Sequence, residues 1–71
     1  MKKISIKLEV NGKEYQSSFD EIKDIELEDL EKFLTDIAKG KGTYLTFTNE
    51  KQKFYFTKET LSKAVISIIY D

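Results

Sequence analysis

Apolar and polar residues alternate strictly near the start of the chain: Ile4, Ile6, Leu8 and Val10 are separated by Ser5, Lys7 and Glu9. A period of two puts one set on a single face, which predicts a half-buried strand over Lys3–Val10. Asn11-Gly12 follows. A type I′ turn needs positive φ at both central residues, and this dipeptide tolerates that best. Such a turn pairs Val10 with Lys13, then Leu8 with Tyr15, Ile6 with Ser17 and Ile4 with Phe19. The second strand of the hairpin is therefore predicted over Lys13–Phe19.

The period then changes. After a connection at Asp20–Glu26, anchored by Ile22 and Ile25, the residues Leu27, Leu30, Phe33, Leu34, Ile37 and Ala38 recur with helical spacing. They form one stripe of an amphipathic helix. Acids crowd its first turns, and Lys39 and Lys41 lie at its end, as the macrodipole favours. Gly40 suits a left-handed stop, whereas the N-cap is contested between Asp24 and Glu26. Thr43–Thr48 and Lys53–Thr57 are aromatic and β-branched, hence strands. A loop at Asn49–Gln52 sets Phe47 opposite Phe54 and Leu45 opposite Phe56, with Tyr44, Thr46, Thr48 and Tyr55 on the other face.

The last stretch carries two signals. Leu61, Ala64, Val65, Ile68 and Ile69 fit a helical stripe capped by Thr57. Val65–Tyr70, however, is nearly all β-branched or aromatic, which favours strand. The preferred reading is a helical turn at Lys58–Lys63 followed by a strand at Ala64–Tyr70; the alternative is a C-terminal helix. The expected fold is thus α+β in a single domain over residues 1–71: hairpin, helix, hairpin, short helical turn and strand, with one mixed sheet and one helix on a face. Over most of the chain this order resembles the β-grasp architecture of ubiquitin-like and immunoglobulin-binding domains, although no sequence motif accompanies it. The sequence closes on Tyr70-Asp71 and not on Gly-Gly, so a resemblance to a conjugated modifier is not expected.

Composition narrows the chemistry. The 71 residues include no His, Cys, Arg, Trp or Pro. That removes the usual general base, the thiol nucleophile, the soft metal ligands and the bidentate phosphate fork. Below roughly 70–80 residues, one core rarely supplies more than ~3–5 kcal/mol. Five Phe and four Tyr compensate, because large rings bury much area per residue. All basic residues are Lys, which fits an AT-rich (low-GC) coding genome and so a bacterial or phage source. Met1-Lys2-Lys3 leads into alternation rather than an unbroken apolar run, so neither a secretory leader nor a membrane span is expected. The expected compartment is cytoplasmic.

Net charge is −1 but unevenly spread: residues 1–19 carry +2, residues 20–36 carry −6 and residues 37–71 carry +3. The acids Asp20, Asp24, Glu26 and Glu28 match no EF-hand spacing. Gly40-Lys41-Gly42 follows a helix instead of opening one, unlike a P-loop. Ser17 and Ser18 lie in a predicted strand with no nucleophile elbow. No enzyme, cofactor or metal site is expected. Lys51, Lys53 and Lys58 beside Tyr44, Phe54 and Tyr55 could stack a single-stranded nucleic acid, but the acidic balance and missing Arg speak against it.

Two protein-binding surfaces remain. One is an uncovered aromatic sheet face with Tyr44, Thr46, Tyr55, Ile68 and Tyr70, acting by face burial or edge-strand pairing on another protein or on a second copy as a homodimer. The other is the acidic helix face with Glu28, Glu31 and Asp36. It could block a basic, nucleic-acid-binding site in the manner of a phage-encoded inhibitor, or simply be solvated, with Lys32 placed to pair Glu28 and Asp36.

Overall fold

A computed structural model describes residues 2–41 and 44–71 of the chain. The elements run β1 (Lys2–Val10), β2 (Lys13–Gln16), β3 (Asp20–Ile22), α1 (Asp24–Ala38), β4 (Tyr44–Thr48), β5 (Lys53–Thr57), α2 (Lys58–Leu61) and β6 (Val65–Tyr70). The α+β class and the order are as expected. Thr43, assigned to the fourth strand from sequence, and Gly42 lie outside the described residues.

The first hairpin forms in its predicted register, with Val10 opposite Lys13 and Leu8 opposite Tyr15. Asn11 and Gly12 take φ of 52° and 80°, as a type I′ turn requires. The partner strand then breaks. Past Ser17 the register slips by one residue, and Ile4 faces Asp20 rather than Phe19. This is a β-bulge fixed by serine chemistry. Ser17 N–H donates to Ile6 O at 2.9 Å, and Ile6 N–H donates to Ser17 Oγ at 2.9 Å. Ser5 Oγ donates to Ser17 O at 2.6 Å. The expected strand Lys13–Phe19 is therefore β2 and β3, and Phe19 is left partly exposed.

Helix α1 begins two residues before Glu26, from the extended residue Lys23. Neither sequence candidate caps it. Glu26 Oε1 instead accepts the Lys23 N–H at 3.0 Å, half of a capping box, since a Lys side chain has no acceptor to complete it. Ile25, expected as an anchor, is exposed: it sits about 200° around the helix from buried Leu27. The C-terminus closes as a Schellman motif, with Gly40 N–H to Ile37 O at 2.9 Å and Lys41 N–H to Asp36 O at 2.8 Å.

The second hairpin has the predicted register, Phe47 opposite Phe54 and Leu45 opposite Phe56. Thr57 caps the single turn of α2, accepting Thr60 N–H at 3.3 Å. The last segment follows the turn-plus-strand reading, and the C-terminal-helix alternative is not adopted.

One expectation about the sheet is corrected. All ladders are antiparallel, and they form two sheets instead of one mixed sheet. In the first sheet β1 is central, flanked by β2 and β3 on one side and β6 on the other; the second is β4–β5. The direction of β6 follows from where α2 releases the chain. Leu61 is buried in the core with Leu8 and Val10, so β6 enters beside Glu9, at the hairpin end of β1, and must run back along it. Among the described residues one backbone hydrogen bond, Ser18 N–H to Thr48 O at 3.0 Å, joins the two sheets at the bulge.

The inner face of the first sheet is covered by two different elements. The β4–β5 hairpin takes the β2 side, where the Tyr15 ring meets Phe54 and Phe56 at 5.3 and 5.4 Å between centroids, edge to face. Helix α1 takes the β6 side. Leu8, Val10, Ile37, Leu45, Phe47, Phe56 and Leu61 fill the space between.

Candidate functional site

The residues marked from sequence do not share one surface. Tyr44, Thr46 and Tyr55 lie on β4–β5, with Thr46 opposite Tyr55 and Tyr44 opposite Thr57. Their row points away from the core, because Leu45, Phe47 and Phe56 are the buried row. Tyr55 is 73% exposed and Tyr44 64%. Lys53 Nζ sits 5.4 Å from the Tyr55 ring centroid, a cation–π contact on that outer face. Ile68 and Tyr70 belong to the other sheet. They pair with Ile6 and Ile4 and so share the inner, helix-covered side of β6. The uncovered row of β6 is Val65, Ser67 and Ile69.

The acidic residues also diverge. Around α1, Glu31 is turned about 60° one way from Glu28 and Asp36 about 80° the other way, with Lys32 between Glu28 and Asp36. Glu28 and Glu31 are exposed, and Asp36 is half-buried. Lys32 forms no ion pair with either neighbour; among the described residues the pair within 4 Å is Lys7 with Glu14, at 3.1 Å on the outer face of the hairpin.

The Ser17 hydroxyl is committed to structure, whereas Ser18 takes part through its backbone. Ser17 and Ser18 line a depression of about 590 Å³ with Phe19, Asn49, Glu50 and Lys51. Yet Ser17 Oγ accepts Ile6 N–H and lies 3.0 Å from Ser18 O, to which it donates. Asn49 Oδ1 is likewise occupied, accepting the N–H groups of Lys51 and Gln52. Among the described residues no three carboxylates gather as a metal site, and no helix is long and apolar enough to cross a membrane.

The feature that stands out is β6. Among the described residues its pairing partner is β1 alone. Asp71 N–H donates to Lys3 O at 3.1 Å, which fixes the parity of the ladder: Val65, Ser67, Ile69 and Asp71 turn their backbone groups toward β1. Ile66, Ile68 and Tyr70 therefore turn their N–H and C=O outward, along a free edge. A shallow groove of about 380 Å³ runs beside that edge, between β6 and α1, lined by Glu31, Leu34, Thr35 and Ala38 on the helix and Ile66, Ile68 and Tyr70 on the strand.

Both rows of β6 are apolar: Ile66, Ile68 and Tyr70 toward the helix, and Val65 and Ile69, flanking Ser67, away from it. A strand covered on one side usually alternates apolar with polar, while near-continuous apolar sequence is typical of strands buried on both faces. The composition of β6 is that of an interior strand, at an edge position. Sequence reasoning singled out Ile68 and Tyr70 and named edge-strand pairing as one mode of binding, but it did not place Ile66 and Ser67 in the site or assign the open edge to β6. The apolar character of both rows was the signal available. No family model, no curated protein and no solved structure matches the chain.

Proposed function

We propose that this chain is a small, non-enzymatic protein-binding module that takes up a further strand on the free edge of β6. One observation carries the reading: from Val65 to Tyr70 the edge strand has no charged side chain, and its outward N–H and C=O groups have no partner among the described residues. Natural edges are usually protected by charge, Pro, a bulge or shortness. β6 has six residues and none of those devices. Strand addition uses main-chain hydrogen bonds for affinity and alternate side-chain positions for selectivity. The groove beside α1 gives an added strand somewhere to set its side chains.

Affinity capture from bacterial lysate, at low and high salt, tests which surface acts. The native chain is compared with Ser67→Glu, Tyr44→Ser/Tyr55→Ser and Glu28→Gln/Glu31→Gln. Edge binding predicts a partner that survives high salt and is lost in the Ser67→Glu variant alone. A partner washed off by salt and lost only in the acid variant would replace this reading with the inhibitor one, since contacts between exposed charges are screened.

A further inference from the structure

We infer that the strand accepted by β6 is β6 of a second copy, giving a two-fold dimer centred on Ser67. The inference rests on the edge-pairing reading above and names its partner.

Backbone parity sets the allowed registers. In an antiparallel pair, hydrogen-bonded positions must both point their backbone groups at the partner. On β6 these are Ile66, Ile68 and Tyr70, so a two-fold pairing opposes even-numbered residues to even-numbered ones. Centring on Ser67 sets Ile66 opposite Ile68 of the second copy, where the two exchange both bonds, and Tyr70 opposite Ala64. Ala64 N–H is already engaged with Leu61 O at 3.2 Å, so its carbonyl remains to accept Tyr70 N–H of the second copy. Every outward donor of β6 then finds an acceptor.

Charge selects among these registers. The strand is uncharged from Ala64 to Tyr70 and bounded by Lys63 and Asp71, both exposed. Centring on Ser67 sets Lys63 of each copy opposite Asp71 of the other, at both ends of the pairing. Sliding one copy by two residues sets Lys63 opposite Ile69 in one direction and Asp71 opposite Val65 in the other. The side chains agree as well. Ile66 pairs with Ile68 on the helix side, Val65 pairs with Ile69 on the outer side, and small Ser67 meets itself on the axis. The axis runs normal to the sheet, so both copies of α1 lie on the same face, and β6 becomes the interior strand its sequence resembles.

A strand pair of this length is small for an interface, and association in the micromolar range is expected. Sedimentation equilibrium over a concentration series reads it. The native chain should pass from monomer to dimer as concentration rises. Ser67→Glu should raise the dissociation constant roughly tenfold, because like charges fall directly opposite on the axis. Within one copy the new Glu faces Lys7, so circular dichroism should report an intact fold. Lys63→Glu should weaken the dimer, and Lys63→Glu/Asp71→Lys should restore it.

The chain has no cysteine, so single-cysteine variants read the register directly. In a non-hydrogen-bonded pair the Cα atoms sit about 4.5 Å apart, inside the roughly 4.4–6.8 Å range of disulfides. Oxidised Ser67→Cys should therefore cross-link, and the more exposed Val65→Cys should not. Equal cross-linking of both, or a dimer indifferent to Ser67→Glu, would overturn the inference. So would a native chain that stays monomeric at millimolar concentration. In that last case, a lysate partner still lost in Ser67→Glu would keep the edge-binding reading with a different occupant, whereas a partner indifferent to the variant would remove both.

Discussion

The two edges of the larger sheet are built on opposite rules, although the same strand, β1, supports both. On one side β2 and β3 are short, four and three residues, and they are separated by the bulge at Ser17. They carry Lys13, Glu14, Asp20 and Glu21, and their break is tied to β4 through Ser18. On the other side β6 runs six residues without interruption or charge. Charge, shortness and bulging are the recognised ways to stop a sheet from recruiting further strands. Here all three fall on one edge and none on the other. A sequence that protects one edge this thoroughly and leaves its neighbour bare gives the bare edge the stronger claim to a role.

Removing the support common to both edges should have the largest effect. Leu8 is fully buried at the centre of β1, and Leu8→Ala should destabilise the fold by about 2–5 kcal/mol. Denaturant unfolding checks this, and the contrast between edges should vanish with the sheet. Next comes Ser17→Ala, which strips Ile6 N–H of its acceptor and Ser5 Oγ of a neighbour. A loss of about 1–3 kcal/mol is expected for a buried group left unsatisfied. Amide exchange should quicken at Ile6 before it does in β6.

Two smaller effects sharpen the contrast without damaging the fold. At rising protein concentration the amides of Ile66, Ile68 and Tyr70 should gain protection from exchange. Those of Glu14 and Gln16, outward on the opposite edge, should stay fast. Finally, Val65→Lys introduces at β6 the charge that β2 already has. Val65 is exposed and faces Glu9 across the ladder, so stability should stay within about 0.5 kcal/mol of the native value while association falls. The Tyr44→Ser/Tyr55→Ser variant, altered on the other sheet, should change neither association nor the exchange of β6.

Much of this was legible from local signals. Asn11-Gly12 set one hairpin register, the Phe47–Phe54 pair set the other, Gly40 marked the helix stop and Thr57 the α2 cap. What escaped was non-local. Tyr15, Ser17 and Phe19 continue an alternating pattern, and nothing near Ser17 announces a bulge; the bonds that hold it come from Ser5 and Ile6, twelve and eleven residues away. The direction of β6 depends on Leu61 reaching the core, which no strand pattern encodes. Nor could the candidate face be assigned row by row, because both rows of β6 are apolar and either could have met the helix. Tyr44, Thr46 and Tyr55 were grouped with Ile68 and Tyr70 on the assumption of one sheet, and the second hairpin's separate layer divides them.

The bulge at Ser17 also bears on valence. A subunit with two receptive sheet edges can join neighbours on both sides, and such assembly has no natural end; it grows into ribbons and fibres. With one edge closed by the break at Ser17 and its tie to β4, the larger sheet of each copy has one open edge among the described residues. Growth of the larger sheet through the proposed β6 pairing would then be complete once two copies meet, because the symmetry that joins them uses up that sheet's open edge in each copy.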